Sequence, residues 1–344
     1  MTRMTLRLVA TLGAVTVLPA LAQADVPAVV TGTPVVQSLV AQVMGDLGAP
    51  DVLLDKGADP HSFQLRPSQA RSLQNADLVF WIGPELTPWL DRAIDTLGSA
   101  TAISLLHADG TIQQQFATPE LVPDEDAHDH DAEHGDEAHD HEDHDHDHDH
   151  DAAHAEHEHA DEHGEEHHHH SGLDPHAWLN PDNAEIWLDI IAKDLSEQDP
   201  ENAQTYAANA KAAIARLKEL DADLANQLAP AKDKPFVVFH AAYGYLAQHY
   251  GLEIAGSVNA GDAATSGAAH LQELHDAFAA GHIICAFPEA QHDPKQIQIL
   301  LDGTDVKLGG ALDPSGSSLD YGPDLYATLM SDLADTLSDC LVAE

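Results

Sequence analysis

Phe236-Val-Val-Phe239 and Leu78-Val-Phe-Trp-Ile82 are short, unbroken apolar runs, the kind that fill a parallel sheet buried on both faces. Both are flanked by stretches with helical spacing. Before Leu78 come strand-like Ala28-Val-Val-Thr31, then a helix opened by Pro34 with Val35, Leu39, Val43 and Leu47 on one face. The short run Val52-Leu-Leu54 and a helix starting at Pro67 follow. After Ile82 the pattern predicts a helix over 86–97 and a strand over 102–106. Beyond Phe239 the alternation repeats: helix 241–250, strand 254–258, helix 267–280 capped by Ser266, strand 282–287, helix 294–301, strand 306–308 and a closing helix over 323–341. Strands alternating with helices predict βαβ units, hence an α/β fold with parallel sheets.

Between the two sets lies a helix over 181–195, for which Asn180 is a plausible cap, and then a long one opened by Pro200. Tyr206, Ala210, Ala213, Leu217, Leu220, Leu224 and Leu228 alternate at spacings of four and three up to Pro230. Such a helix is roughly 40 Å long, enough to run the height of a two-lobed protein. The expected division is a first lobe over 25–123 completed by 171–199, a linker helix over 200–229 and a second lobe over 230–344. In 344 residues there is room for both.

The segment over 124–170 belongs to neither lobe. Of its 47 residues, 21 are Asp or Glu, 17 are His and nine are Ala or Gly, so it has no apolar surface to offset the entropy of ordering. It is expected to be a mobile, solvated loop. A plain acidic linker needs no histidine, yet this tract holds 17 of the chain's 26. Imidazole mixed with carboxylate suits borderline divalent ions such as zinc. His128, His130, His134, His139, His141, His144, His146, His148, His150, His154, His157, His159, His163, His167, His168, His169 and His170 are therefore read as auxiliary, low-affinity ligands.

The formal charge of −45, of which the tract supplies 21 negatives, repels nucleic acid and attracts cations. Residues 1–24 read as a secretory signal: Arg3 and Arg7, an apolar run over 8–21, then Ala22-Gln-Ala24 as a cleavage site. The mature chain is thus expected to be exported and soluble. Its only cysteines, Cys285 and Cys340, can pair in an oxidising compartment; export favours a disulfide over two buried thiols.

Nine histidines lie outside the tract, and three differ from the rest by context. His61 stands in Gly57-Ala-Asp-Pro-His61-Ser-Phe, in a turn before the Pro67 helix. His176 repeats that design in Leu173-Asp-Pro-His176-Ala-Trp, and His240 ends the run Phe236–Phe239, where a parallel strand delivers its last side chain to the ligand edge. Three neutral imidazoles favour zinc over manganese or calcium. His107, His249, His270, His275, His282 and His292 show no such placement and are read as ordinary core or surface residues.

At these motifs the chain resembles the periplasmic zinc-binding component of bacterial ABC importers, within the metal-binding solute receptors. The resemblance rests on Gly57-Ala-Asp-Pro-His61-Ser-Phe-Gln-Leu-Arg-Pro-Ser68, Asn75-Ala-Asp-Leu-Val-Phe-Trp-Ile-Gly-Pro-Glu85, Asp174-Pro-His-Ala-Trp-Leu-Asn-Pro181, Phe239-His-Ala-Ala-Tyr-Gly-Tyr245 and Leu312-Asp-Pro314. It implies two α/β lobes joined by one long rigid helix, metal in the cleft, a His-rich loop in the first lobe and a disulfide in the second. It implies His61, His176 and His240 as the Zn2+ ligands; manganese-binding relatives carry an acid at the third position. Pro60 stands where some zinc members have a glutamate ligand, which leaves the fourth position to water, a tract residue or Asp313. For Asp313 a turn or capping role is an equal alternative. Glu289, in Phe287-Pro-Glu-Ala-Gln291, could orient a ligand, or be a surface or cap carboxylate.

The function this implies is capture of Zn2+ in the periplasm and delivery to the inner-membrane permease of an ABC zinc importer, by a monomer that is not an enzyme and binds no nucleic acid. A periplasmic zinc buffer is the alternative. A zinc hydrolase is the remaining one, against which stands the absence of an H-E-x-x-H motif.

Overall fold

The computed structural model describes residues 26–98, 100–116, 172–259 and 266–342. The signal segment 1–24 and the His-rich tract 124–170 lie outside the described residues. The first sheet is built from β1 (Val29–Thr31), β2 (Asp51–Val52), β3 (Leu78–Trp81) and β4 (Thr101–Ser104), interleaved with α1 (Pro34–Met44), α2 (Pro67–Gln74) and α3 (Pro88–Leu97). Then come α4 (Pro181–Gln198) and α5 (Ala203–Leu228). The second sheet takes β5 (Phe236–His240), β6 (Ile254–Asn259), β7 (Cys285–Phe287) and β8 (Lys307–Leu308), with α6 (Gly244–Tyr250), α7 (Ala268–Ala279), α8 (Lys295–Leu300) and the closing α9 (Leu325–Leu341).

The pairings among these eight strands are all parallel, and the two sheets share one plan: β2-β1-β3-β4 and β6-β5-β7-β8. In each, the strand order reverses direction between the two central strands. In open α/β sheets that reversal opens a crevice at the strands' carboxyl ends. The runs expected to be buried on both faces are so: all of β3 and all of β5 are buried.

Several helices begin as their sequences dictate. Thr33 accepts the Val36 N–H with Pro34 in the first turn of α1, and Asn180 Oδ1 accepts the Asp182 N–H at 3.0 Å to start α4. Other boundaries differ. The long helix begins at Ala203 because Asp199 takes the Asn202 N–H, the Asn202 side chain and the Tyr206 hydroxyl, tying 199–202 into a turn. Ser266 does not cap α7: its hydroxyl turns back to the Val258 carbonyl, and Gly267 occupies the cap without a side-chain bond. α6 starts at Gly244, three residues later than expected, and the intervening turn carries the chain away from His240.

At 1.5 Å per residue the 26 residues of α5 span about 39 Å. Six of its seven periodic residues are buried, with Leu220 partly so, and the helix packs against α4, α1 and α9. One apolar cluster runs from Val29 and Val36 through Trp187, Leu217 and Phe236 to Leu333, so the two sheets share a central helical core. Smaller clusters cover the outer faces of each sheet. The chain also ties its ends across that core: Ser38 on α1 donates to the Pro323 carbonyl at 2.9 Å and accepts the Tyr326 N–H at 3.1 Å. Cys285 on β7 and Cys340 on α9 are disulfide-bonded, their Cα atoms 6.3 Å apart.

Candidate metal centre

The second sheet contributes first. His240 is the last residue of β5, and Glu289 follows β7, its neighbour, across the point where the strand order reverses. Glu289 is held there by an isolated parallel bridge to Leu312. His240 Nδ1 meets Glu289 Oε2 at 2.5 Å, and both side chains are buried.

His176 arrives from the other side, just before a single 3-10 turn over Ala177–Leu179. Its Nδ1 meets Asp174 Oδ1 at 2.8 Å, and that oxygen also accepts the His176 backbone N–H at 2.9 Å. His61 stands in the loop between β2 and α2, its N–H accepted by Asp59 Oδ1 at 2.9 Å. Both Asp-Pro-His segments therefore make the same turn, in which the aspartate side chain takes the N–H two residues on and the proline stiffens the step. Trp89 Nε1 donates to the Pro60 carbonyl at 2.7 Å and Gly57 N–H to the Ser317 carbonyl at 2.9 Å, anchoring the His61 loop to α3 and to the turn after Asp313.

The three rings converge: one ligand nitrogen from each of His61, His176 and His240 lies within 4.8 Å of the others. This is the group of metal-ligating character found among the described residues. His176 Nε2 and His240 Nε2 are 3.4 Å apart. With both Nδ1 atoms donating to carboxylates, both Nε2 atoms carry lone pairs, and two lone pairs aimed at one point call for a cation between them. Burial first, then the neighbouring His176, His240 and His292, push the His61 pKa from 6.5 down to about 2, so that ring too stands neutral with a lone pair to give. The rings line a cavity of about 40 Å³ with Asp59, Trp178, Asn259, Gln291 and Ser315, room for an ion and a small ligand.

Of the other expected site residues, Glu289 is placed against a ring and Asp313 is not. Asp313 Oδ1 accepts from Gln291 Nε2 at 2.9 Å and from the Ser317 N–H at 3.2 Å; Oδ2 accepts the Ser318 N–H at 2.9 Å and the Ser318 hydroxyl at 2.5 Å. Its oxygens are spent on a turn, and it lies outside the histidine group. Asp174 is the residue that sequence reading passed over, although its signal was present: an acid stands two residues before both His61 and His176. His292, read as ordinary, borders the cavity with its ring stacked on Phe239 at 4.3 Å. The tract histidines lie outside the described residues.

Known proteins align with this architecture over nearly its full length. The high-affinity zinc uptake system protein ZnuA of Paracoccus denitrificans is 52% identical over 324 residues, 94% of each chain. The Brucella abortus protein of the same name is 42% identical over 88% of each. Among solved structures, a zinc-bound deletion mutant of ZnuA has a TM-score of 0.67 at 22% identity, covering 93% of this chain and 100% of that one. FpvC of Pseudomonas aeruginosa in complex with Mn2+ has a TM-score of 0.68 at 21% identity, covering 92% and 99%. Since zinc- and manganese-bound structures match the fold about equally well, choice of metal rests on the donor set. The family described as ZnuA, zinc-uptake complex component A periplasmic, matches residues 29–340, and the chain belongs to that family.

Proposed function

We propose that this chain captures Zn2+ in the periplasm through His61, His176 and His240 and delivers it to the membrane permease of an ABC-type zinc importer. The carrying observation is the convergence of three imidazole nitrogens, two of them backed by buried carboxylates. An all-nitrogen set suits zinc and is poor for manganese or calcium, which seek oxygen. Asp174 and Glu289 hold the rings in register without themselves belonging to the ligand group, and together their two negative charges balance the ion's two positive ones. Each carboxylate commits an oxygen to a ring nitrogen, which suits a carrier rather than a hydrolase in need of a general base.

In this reading the first lobe comprises 25–123 with 171–199, α5 is the rigid connector, 230–344 is the second lobe, and the chain acts as a monomer after export. The tract over 124–170 gathers zinc weakly near the cleft, because any site formed there must order the chain when metal arrives.

The test is to replace each of the three histidines by Ala and measure zinc affinity against a competing chelator. Each variant should lose the tight site. Tight binding retained in all three would overturn the assignment, and zinc uptake independent of the cognate permease would overturn the delivery role.

A further inference from the structure

Three nitrogens leave one position of a tetrahedral zinc open, and the cavity that the rings line is also lined by a residue with a buried acceptor. Gln291 lies two residues beyond Glu289, and its side chain lines the same cavity as the three rings. Its amide nitrogen donates to Asp313 Oδ1 at 2.9 Å and to Ser315 Oγ at 3.1 Å, and also reaches Ser317 Oγ. An ionised carboxylate accepts and cannot donate, so Asp313 decides which way the amide faces: nitrogen toward the 313–317 turn, Oε1 away from it. Oε1 is sealed from solvent and accepts no hydrogen bond from the described protein groups. A buried carbonyl left in that state is unfavourable until a donor reaches it.

His176 and His240 turn their Nδ1 protons to carboxylates, and their Nε2 atoms stand 3.4 Å from each other. A water on zinc, by contrast, has protons made acidic by the ion and needs an acceptor for them. Taking the three histidines to be the zinc site as argued above, we propose that a water fills the fourth position and donates to Gln291 Oε1. Asp313 is then a positioning residue acting through Gln291, one step removed from the ion it resembles a ligand for. This gives the Leu312-Asp-Pro314 turn a part in metal binding that its hydrogen bonds do not otherwise disclose. It also distinguishes Gln291 from His292, whose half-exposed ring is stacked on Phe239 and stands outside the ligand group.

The experiment pairs a crystal structure of the zinc-loaded full chain with zinc titration of Gln291→Leu against a competing chelator. The structure should show an oxygen about 2.0–2.2 Å from zinc and about 2.7–2.8 Å from Gln291 Oε1. Gln291→Leu should weaken zinc binding by about 10-fold to 100-fold, with the thermal midpoint of the metal-free protein as the folding control. In the cobalt-loaded protein the visible spectrum should shift with the same substitution, a response that a purely structural residue would not produce. Zinc on the three histidines with His292, a tract residue or Asp313 as fourth ligand would overturn the inference and leave the zinc site standing. An unchanged affinity and spectrum in Gln291→Leu would do the same. Zinc bound away from the three histidines would overturn both. Should the variant fail to fold, the wild-type structure decides alone.

Discussion

At the scale of single residues, the centre is a pair of carboxylate–imidazole couples with a third ring, His61, converging on them. Asp174 accepts from both the ring and the backbone of His176, so it sets tautomer and orientation at once. Asp174→Ala should weaken zinc binding by about 10-fold to 100-fold with the histidines intact; chelator competition would measure it, and an unchanged affinity would deny Asp174 that role. His61 makes a second prediction, about acid. Its folded-state pKa is about 2 against 6.5 for the ordinary ring, mainly through burial. Between those values the unfolded chain takes up a proton at this position that the folded chain does not. Stability from this residue is therefore whole above pH about 6.5 and lost progressively as pH falls toward 2. The urea midpoint of the metal-free protein should drop between pH 7.5 and 5, and His61→Leu should reduce that drop. Zinc affinity should fall over the same acid range, because protons and zinc compete for the same lone pairs.

At the scale of elements, strand ends and turns do the positioning. β5 and β7 are neighbours, so their carboxyl ends bring His240 and Glu289 together although 49 residues separate them. The disulfide from β7 to α9 fastens this same pair of strands to the shared helical core. It closes a separation of 55 residues, which on the chain-entropy account is worth about 4 kcal/mol. Replacing both cysteines by Ala should lower the unfolding free energy by about 2–4 kcal/mol, read by chemical denaturation, while leaving the zinc stoichiometry at one tight ion. Gly309 is equally constrained: a Cβ there would stand 2.3 Å from the Phe287 ring, so Gly309→Ala must displace the strand end that leads to Glu289. Fold elements of this kind were legible beforehand where apolar runs and caps are strong, as at Leu78–Trp81, Pro34 and Asn180. They were misplaced where a side chain chose a tertiary partner, as Ser266 did with Val258 and Asp199 with Tyr206.

At the scale of the whole molecule, the common core and the charge set the terms. Because α1, α4, α5 and α9 pack as one body between the sheets, zinc should change the molecule's dimensions little, and small-angle scattering of the free and loaded forms would show it. A net charge of −45 should speed capture of a cation, and the gain should shrink as salt rises, since screening is effective beyond about 8–10 Å. Deleting 124–170 removes 21 negatives and 17 imidazoles. It should abolish the weak extra zincs and slow loading from scarce zinc while leaving one tight ion; loss of the tight ion would mean that the tract supplies an essential ligand.

Composition and local pattern by themselves determined the α/β class, a long helix (expected over 200–229), the acidic His-rich tract and the singular contexts of His61, His176 and His240, because each depends on residues close together in the chain. Pairing His240 with Glu289, tying the Gln291 amide to Asp313 and bringing the three rings to one point were decided only by the tertiary structure. Those contacts join strand ends, loops and turns whose mutual distance depends on which strands lie side by side and on how the two sheets pack through one helical core, a geometry to which no short-range periodicity has access.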